Sequence, residues 1–297
     1  MTTRRRFLMI TAAVAVSGPA RAASPYVWKG VAMGSAATIR LTHPDAAALT
    51  SRAAAEIDRL EDIFSLYRPD SALSRLNATG RLDSPPFEML ECLTIADHVH
   101  AATSGLFDPT VQRLWQMQAE AAVANRLPTP AERSSALALT GWQHLHMTES
   151  RISVPPGMAV TLNGIAQGFV ADRVAALLQG EGIDDILIDT GELRAVGGRP
   201  WHVHLPQGRA LPLAGRALAT SAPRGTVLDA AGQVGHILHP ATGEQAPPVW
   251  QSVSISAPTA ALADALSTAA CLMPDRATIA RASDRLPGTR IEAASPV

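Results

Sequence analysis

The segment Ala263-Asp-Ala-Leu-Ser-Thr-Ala269 places three oxygen-bearing side chains within five residues. Asp264 and Thr268 are i and i+4, so on a helix their oxygens share a face, with Ser267 beside them. Hard oxygen donors of this kind suit Mg²⁺, which keeps waters and borrows ligands from substrate phosphates. Cap chemistry and small hydroxyls tolerated in a helix would read the same way. His236-Ile-Leu-His239 offers two imidazoles. In a strand, i and i+3 point to opposite faces, which argues against a shared metal. One of them could accept a proton near neutral pH; the alternative is a structural role.

The stretch Thr161-Leu-Asn-Gly-Ile-Ala-Gln-Gly168 runs into an amphipathic pattern. Gly164 and Gly168 would let backbone approach a ligand closely and aim free N–H groups at an anion. Yet no Lys or Arg stands between Thr161 and Asp172. The spacing is neither a Walker loop nor a dinucleotide fingerprint. Two further loops carry an aromatic with a carboxylate: Tyr67-Arg68-Pro69-Asp70 and Leu106-Phe107-Asp108. Such pairs could sandwich a ring and read its edge or a ribose, or serve as core and cap. Aromatics make up only 4% of the chain, which gives those placed in turns extra weight.

The elements that must position these groups follow from periodicity. Met33–His43 reads as a strand. Asp45–Tyr67 reads as a long helix with Ile57, Leu60, Ile63, Phe64 and Tyr67 at helical spacing. A Ser-rich connection follows it, then a helix over Pro86–Thr103. Residues 117–135 read as a helical insertion and loop, and 142–163 as two strands around a polar turn. The glycine turn and its helix come next. Buried strands are expected within 182–198, 200–206 and 216–223, a strand and extended loop over 233–248, an alternating strand over 249–258 and a closing helix over 259–273. The tail from Pro274 reads as peripheral. Strands and helices mix without a strict βαβ rhythm, which points to an α/β (α+β) fold with mixed sheets flanked by helices.

The chain has 297 residues, 47% hydrophobic and 17% charged, with net charge −1. That composition is globular with ample core and lacks the basic excess of a nucleic-acid binder. Lys29 is the sole lysine among 25 Lys and Arg. Thr-Arg-Arg-Arg-Phe-Leu-Met, an apolar run over 7–16 and Ala20-Arg-Ala22 read as an export signal over 1–22 resembling the twin-arginine type. The run is too short for a permanent membrane anchor. This predicts a periplasmic protein consisting of one domain over 23–297. Cys92 and Cys271 both fall in apolar helical contexts, so a disulfide and two buried thiols are both compatible with them.

Met33-Gly-Ser, FSLYRPDSALSRLN, GLFDPTV, GIAQGFVADRVAALL, HILHPATG, SVSISAPTA and ADALSTA occur in one order, and that order resembles the ApbE family of FAD:protein FMN transferases over residues 28–273. The resemblance implies a two-lobed, T-fold-like α/β architecture with FAD in the cleft. It implies Mg²⁺-dependent splitting of FAD, transfer of FMN to a Ser or Thr of a partner flavoprotein in a membrane redox complex, and release of AMP. It further implies flavin contacts from Met33 and Tyr67, and nucleotide contacts from Leu106, Phe107 and Asp108. Thr161, Gln167 and the Leu238 backbone join the FAD site on the same basis. Mg²⁺ would be held by the Gly164 carbonyl, Asp264 and Thr268, with Ser267 standing where some members place a second carboxylate. His236 would activate the acceptor hydroxyl, and Asp264, through the metal it holds, counts with it as catalytic.

Four positions depart from the family pattern. Thr161 replaces an Asp, Gln167 a Lys or Glu, His239 an Asp, and Glu192 a Gly. In a chain that writes almost every cation as Arg, Gln167 suggests a hydrogen bond rather than a charge. The departures keep two alternatives open: a non-catalytic FAD-binding or delivery protein, and an FAD pyrophosphatase.

Overall fold

A computed structural model of the chain describes residues 25–229 and 231–297. The export signal read over 1–22 lies outside the described residues. The chain opens with a hairpin of β1 (Tyr26–Ala32) and β2 (Ser35–Leu41), turning at Met33-Gly34 with φ of 50° and 79°. Helix α1 (Ala46–Phe64) forms because Leu49, Ala53, Ile57, Leu60 and Phe64 recur at three- and four-residue spacing, and all five are buried. Then come α2 (Ala72–Thr79), β3 (Arg81–Asp83), α3 (Phe87–Ala102), α4 (Gln112–Val123), α5 (Pro130–Leu137), β4 (His146–Thr148) and β5 (Arg151–Ser153). The second half holds α6 (Ala166–Gly180), β6 (Ile186–Asp189), β7 (Leu193–Val196), β8 (Trp201–His204), β9 (Ala210–Leu213) and β10 (Ala217–Ser221). It closes with β11 (Trp250–Ala257), α7 (Ala260–Ala270), α8 (Arg276–Asp284) and β12 (Arg290–Pro296).

A seven-stranded sheet in the order β1-β2-β6-β7-β10-β11-β12 organises the molecule. The α/β class holds, but the sheet is not mixed: every neighbouring pair is antiparallel. β1–β2 and β6–β7 are direct hairpins, β7 reaches β10 through the β8–β9 hairpin, β10 reaches β11 through an irregular segment, and helical excursions join β2 to β6 and β11 to β12. Strand β6 shows how the layers form. Ile186 and Ile188 join the main core, while Leu187 between them joins a second cluster with Trp201, Val203 and Leu213 of β8 and β9. Alternate residues face opposite sides, so an uninterrupted apolar strand implies cover on both. Helices α1, α6 and α7 cover one face and the β8–β9 hairpin the other.

Strand β11 carries Ser252, Ser254 and Ser256, all buried rather than alternating outward. Their hydroxyls are paired with Gln207 Nε2 (2.9 Å), Thr220 Oγ1 (2.9 Å) and Glu292 Oε1 (2.6 Å). A buried hydroxyl is tolerable because each has such a partner. Helix α7 is buried nearly all round, which its Ala-rich sequence allows, and it packs on β10, β11, α3 and α6. This carries Asp264 into the core with it.

Three sequence expectations change. The Ser-rich connection contains α2, capped by Ser71, whose Oγ accepts from the Ser74 N–H at 3.0 Å. Residues 233–248 form no strand and are tied down by isolated bridges at Gly235 and Leu238–Gln245. The tail is not peripheral: β12 is the edge strand beside β11. Cys92 and Cys271 are free, buried thiols. Among the described residues no helix is long and apolar enough to cross a membrane.

Candidate active site

The glycine turn and α7 meet at backbone distance. A Cβ at Gly168 would run into the Ala260 carbonyl and lie 2.7 Å from the Ala261 nitrogen, so only glycine lets α6 cross α7 here. A Cβ at Gly164 would sit 3.2 Å from both Cγ2 and Oγ1 of Thr268. The two glycines therefore seat the turn and the start of α6 against α7. Asp172, one turn further, accepts N–H bonds from Ala260 and Ala261, both at 2.9 Å. It caps α7 from the neighbouring helix, where orphan N–H groups and the dipole favour a carboxylate. The Gly168 N–H donates to Asp264 Oδ2 at 3.3 Å. The anion at this helix start is thus a side chain of the protein itself.

Asp264 is 3% exposed. Burial pushes its carboxyl up to about 7, with the Gly168 N–H pulling down and the Asp172 charge adding to the rise. Around it lie hydroxyls. Ser221 Oγ is 2.7 Å from Ser267 Oγ and 3.3 Å from Thr268 Oγ1, and Ser267 Oγ donates to the Asp264 carbonyl at 3.0 Å. Ser267 is fully buried behind this network, and the cavity is lined instead by Ser221, Thr268 and Asp264.

His236 stands on the irregular 233–248 segment. Its Nδ1 lies 3.0 Å from the Thr226 carbonyl oxygen, which can only accept. Nδ1 therefore carries the hydrogen, and Nε2 is left with a lone pair. Burial lowers the imidazole below its ordinary value, the Thr226 contact opposing, so the neutral form holds at neutral pH. His239 faces its own turn, with its Nδ1 accepting the Ala241 N–H at 3.2 Å. A carboxylate two residues before such an N–H would do the same.

The cavity also brings together Leu106, Phe107, Asp108, Thr161, Gly164, Gln167 and Leu238. Asp108 is already engaged: Oδ1 accepts from the Thr110 N–H (2.8 Å) and hydroxyl (2.6 Å), and Oδ2 from the Trp142 N–H (3.2 Å). It caps the short 3₁₀ turn Pro109–Val111 and fixes the loop that presents Phe107. Gln167 Nε2 donates to Ser35 Oγ at 2.8 Å, and its backbone carbonyl accepts from Thr190 Oγ1 at 2.9 Å. That amide ties α6 to the start of β2 without a charge. Met33 and Tyr67 do not line the cavity, and Tyr67 is 67% exposed. One residue links their loops: Glu61 accepts from the Met33 N–H (2.7 Å) and from Arg68 Nη2 (2.6 Å).

Sequence reasoning passed over Asp189, Ser221 and Glu192 as site groups, yet all three line the cavity. Asp189 and Glu192 flank the β6–β7 turn; the signal available was a carboxylate at the end of each apolar strand. The cavity lining then holds four carboxylates, Asp108, Asp189, Glu192 and Asp264, and no Lys or Arg among the described residues. No cluster of three or more His, Cys, Asp or Glu among them could hold a metal by those side chains alone. The donor set for a cation is a carboxylate with hydroxyls and a backbone carbonyl. It fits a hard divalent ion: Asp264 is buried with one N–H partner and no cationic neighbour, and Gly164 packs on Thr268.

Fold and site together define an α/β protein with an acidic, hydroxyl-rich cleft and one tautomer-fixed histidine. The profile of the ApbE family matches residues 33–291, and the chain belongs to that family. The FAD:protein FMN transferase of Salmonella typhimurium is 30% identical over 269 residues, covering 82% of this chain and 77% of that one. The one from Vibrio cholerae is 30% identical over 270 residues, covering 82% and 80%. A solved structure of the flavin transferase ApbE from Vibrio cholerae superposes with a TM-score of 0.76 at 25% identity, covering 91% of this chain and 97% of that one.

Proposed function

We propose that this protein is an exported FAD:protein FMN transferase that joins FMN through a phosphoester to a Thr or Ser of a partner flavoprotein and releases AMP. Family membership and the names of its relatives support the transferase reading. The observation that carries the mechanism is the cleft itself, with a neutral His236 and a buried Asp264 in a lining of carboxylates without Lys or Arg. A pyrophosphate entering such a cleft needs positive charge from elsewhere. Asp264, Thr268 and the Gly164 carbonyl would hold Mg²⁺, which supplies that charge when bound.

The chain's own residues supply positioning and proton transfer. A hydroxyl is a poor nucleophile at neutral pH and needs a base in hydrogen-bond reach. His236 Nε2 takes the acceptor hydroxyl's proton as its oxygen bonds to the FMN phosphorus; the bond from that phosphorus to the bridging oxygen breaks, and AMP leaves with that oxygen. The Thr226 carbonyl holds the ring by Nδ1 and stabilises the imidazolium that forms. Phe107, Leu106 and the Leu238 backbone wall the nucleotide, and Gln167 offers it a neutral contact. The exposed Tyr67, and Met33, whose loop Glu61 ties to that of Tyr67, remain available to a flavin ring.

The basic start, short apolar run and Ala-x-Ala site support export to the periplasm as one domain over 23–297, where a membrane redox subunit would be the acceptor. Incubation with FAD, Mg²⁺ and an acceptor domain should give a fluorescent covalent band that survives denaturation. Loss of that band when any one component is left out is expected; absence of a band with every family-type acceptor would sink the reading.

A further inference from the structure

Glu192 is a cavity carboxylate to which the mechanism gives no role. It lies just before β7, where the family pattern has glycine, and it is 8% exposed. Leu193 packs under the β8–β9 hairpin, so Glu192 and Arg194 point to the helix side of the sheet. There they part company. Arg194 lies 3.2 Å from Asp172 on α6, while Glu192 lines the cavity with Asp264, Thr268 and Ser221.

The Thr220 N–H donates to Glu192 Oε2 at 3.2 Å, in place of a ladder bond beyond the short β7–β10 pairing. Oε1 has no hydrogen-bond partner among the described residues, and no Lys or Arg lines the cavity. An uncompensated carboxylate in such a place is costly to keep. Burial, with the Asp264 charge adding to it, holds Glu192 well above the ordinary carboxylate range. Ser267 cannot offer a second donor on the α7 side, because its hydroxyl is enclosed between Ser221 and the Asp264 carbonyl.

We propose that Glu192 is a second carboxylate donor to the divalent cation held by Asp264, so that the cation site of this chain is closed from β7 as well as from α7. The inference rests on the metal reading above. Two carboxylates balance the charge of a divalent ion before any nucleotide arrives, and ligand charge count sets affinity in oxygen sites. The cation should therefore bind the nucleotide-free protein.

Calorimetric titration of Mn²⁺ into nucleotide-free protein tests this, using wild type, Glu192→Gln and Asp264→Asn. Gln keeps an acceptor for the Thr220 N–H, so the fold is retained. The expected result is Mn²⁺ binding by wild type, weakened about tenfold or more in Glu192→Gln. In the same variant the melting temperature without metal should rise, since the cost of keeping a carboxyl buried there is gone, and the rise caused by Mn²⁺ should shrink. Unchanged Mn²⁺ affinity in Glu192→Gln, with loss in Asp264→Asn, overturns the second donor and leaves the metal reading standing. No Mn²⁺ or Mg²⁺ binding by wild type overturns both. A lower metal-free melting temperature with unchanged affinity would make Glu192 a strand cap and nothing more.

Discussion

At the scale of single residues, the site depends on which atoms are left free. His236 spends Nδ1 on the Thr226 carbonyl, and only Nε2 remains to take a proton. Its lowered pKa sets the pH dependence. A base must be neutral to act, so with Mg²⁺ saturating the transfer rate should stay flat through neutral pH and fall as pH drops through a value below the ordinary 6.5. His236→Ala should lower transfer at least 100-fold while FAD affinity changes little; equal loss of both would make the histidine a binding residue. The same titration has a stability sign. A histidine whose folded pKa is lowered loses its contribution as pH falls through the unfolded value toward the folded one. Residue identities at this site were readable from sequence because ordered motifs carry them. Their engagements were not. Asp108 looks like a free polar contact until Thr110 and Trp142 are seen to occupy both its oxygens. Glu192 looks like a lost glycine until the fold turns it inward.

At the scale of elements, the contact of α6 with α7 fixes the donor geometry. Glycine at 168, the Asp172 cap on α7 and the Gly168 N–H on Asp264 are three features of one crossing. Gly168→Ala should therefore lower stability by about 1–3 kcal/mol, since the clash is with backbone that cannot rotate away. It should also weaken divalent-cation binding, because Asp264 and Thr268 ride on the displaced helix. Thermal melts with and without Mn²⁺ would show both effects; an unchanged metal-induced shift would detach the crossing from the site. Helix α1 and helix α6 were legible because their apolar spacing faces one core. The 233–248 segment was not, since its apolar Ile237 and Leu238 are buried by tertiary contact rather than by a strand ladder. The serine pattern of β11 likewise imitates a half-exposed strand, while its hydroxyls are in fact matched to partners under the hairpin.

At the scale of the whole molecule, one antiparallel sheet with different cover on its two faces places the cleft. The strand order brings β6, β7 and β10 beside α6 and α7, so residues from 35 to 272 line one cavity. No local pattern in the sequence announces that order, which is why a mixed sheet was the natural expectation. The tail shows the same limit. Strand β12 pairs along β11, and Glu292 and Gly288 receive Ser256 and Arg216. Deleting residues 286–297 should expose the β11 edge, lower the melting temperature and promote association, as read by calorimetry and light scattering; a monomeric protein melting as before would return the tail to the periphery. Cleavage of FAD and modification of a partner are expected to be one event. AMP and acceptor-bound flavin measured in the same reaction, with and without acceptor, test it most directly. One AMP is expected for each flavinylated acceptor and none when acceptor is absent; AMP released from FAD without an acceptor, or bound flavin without AMP, would overturn the coupling.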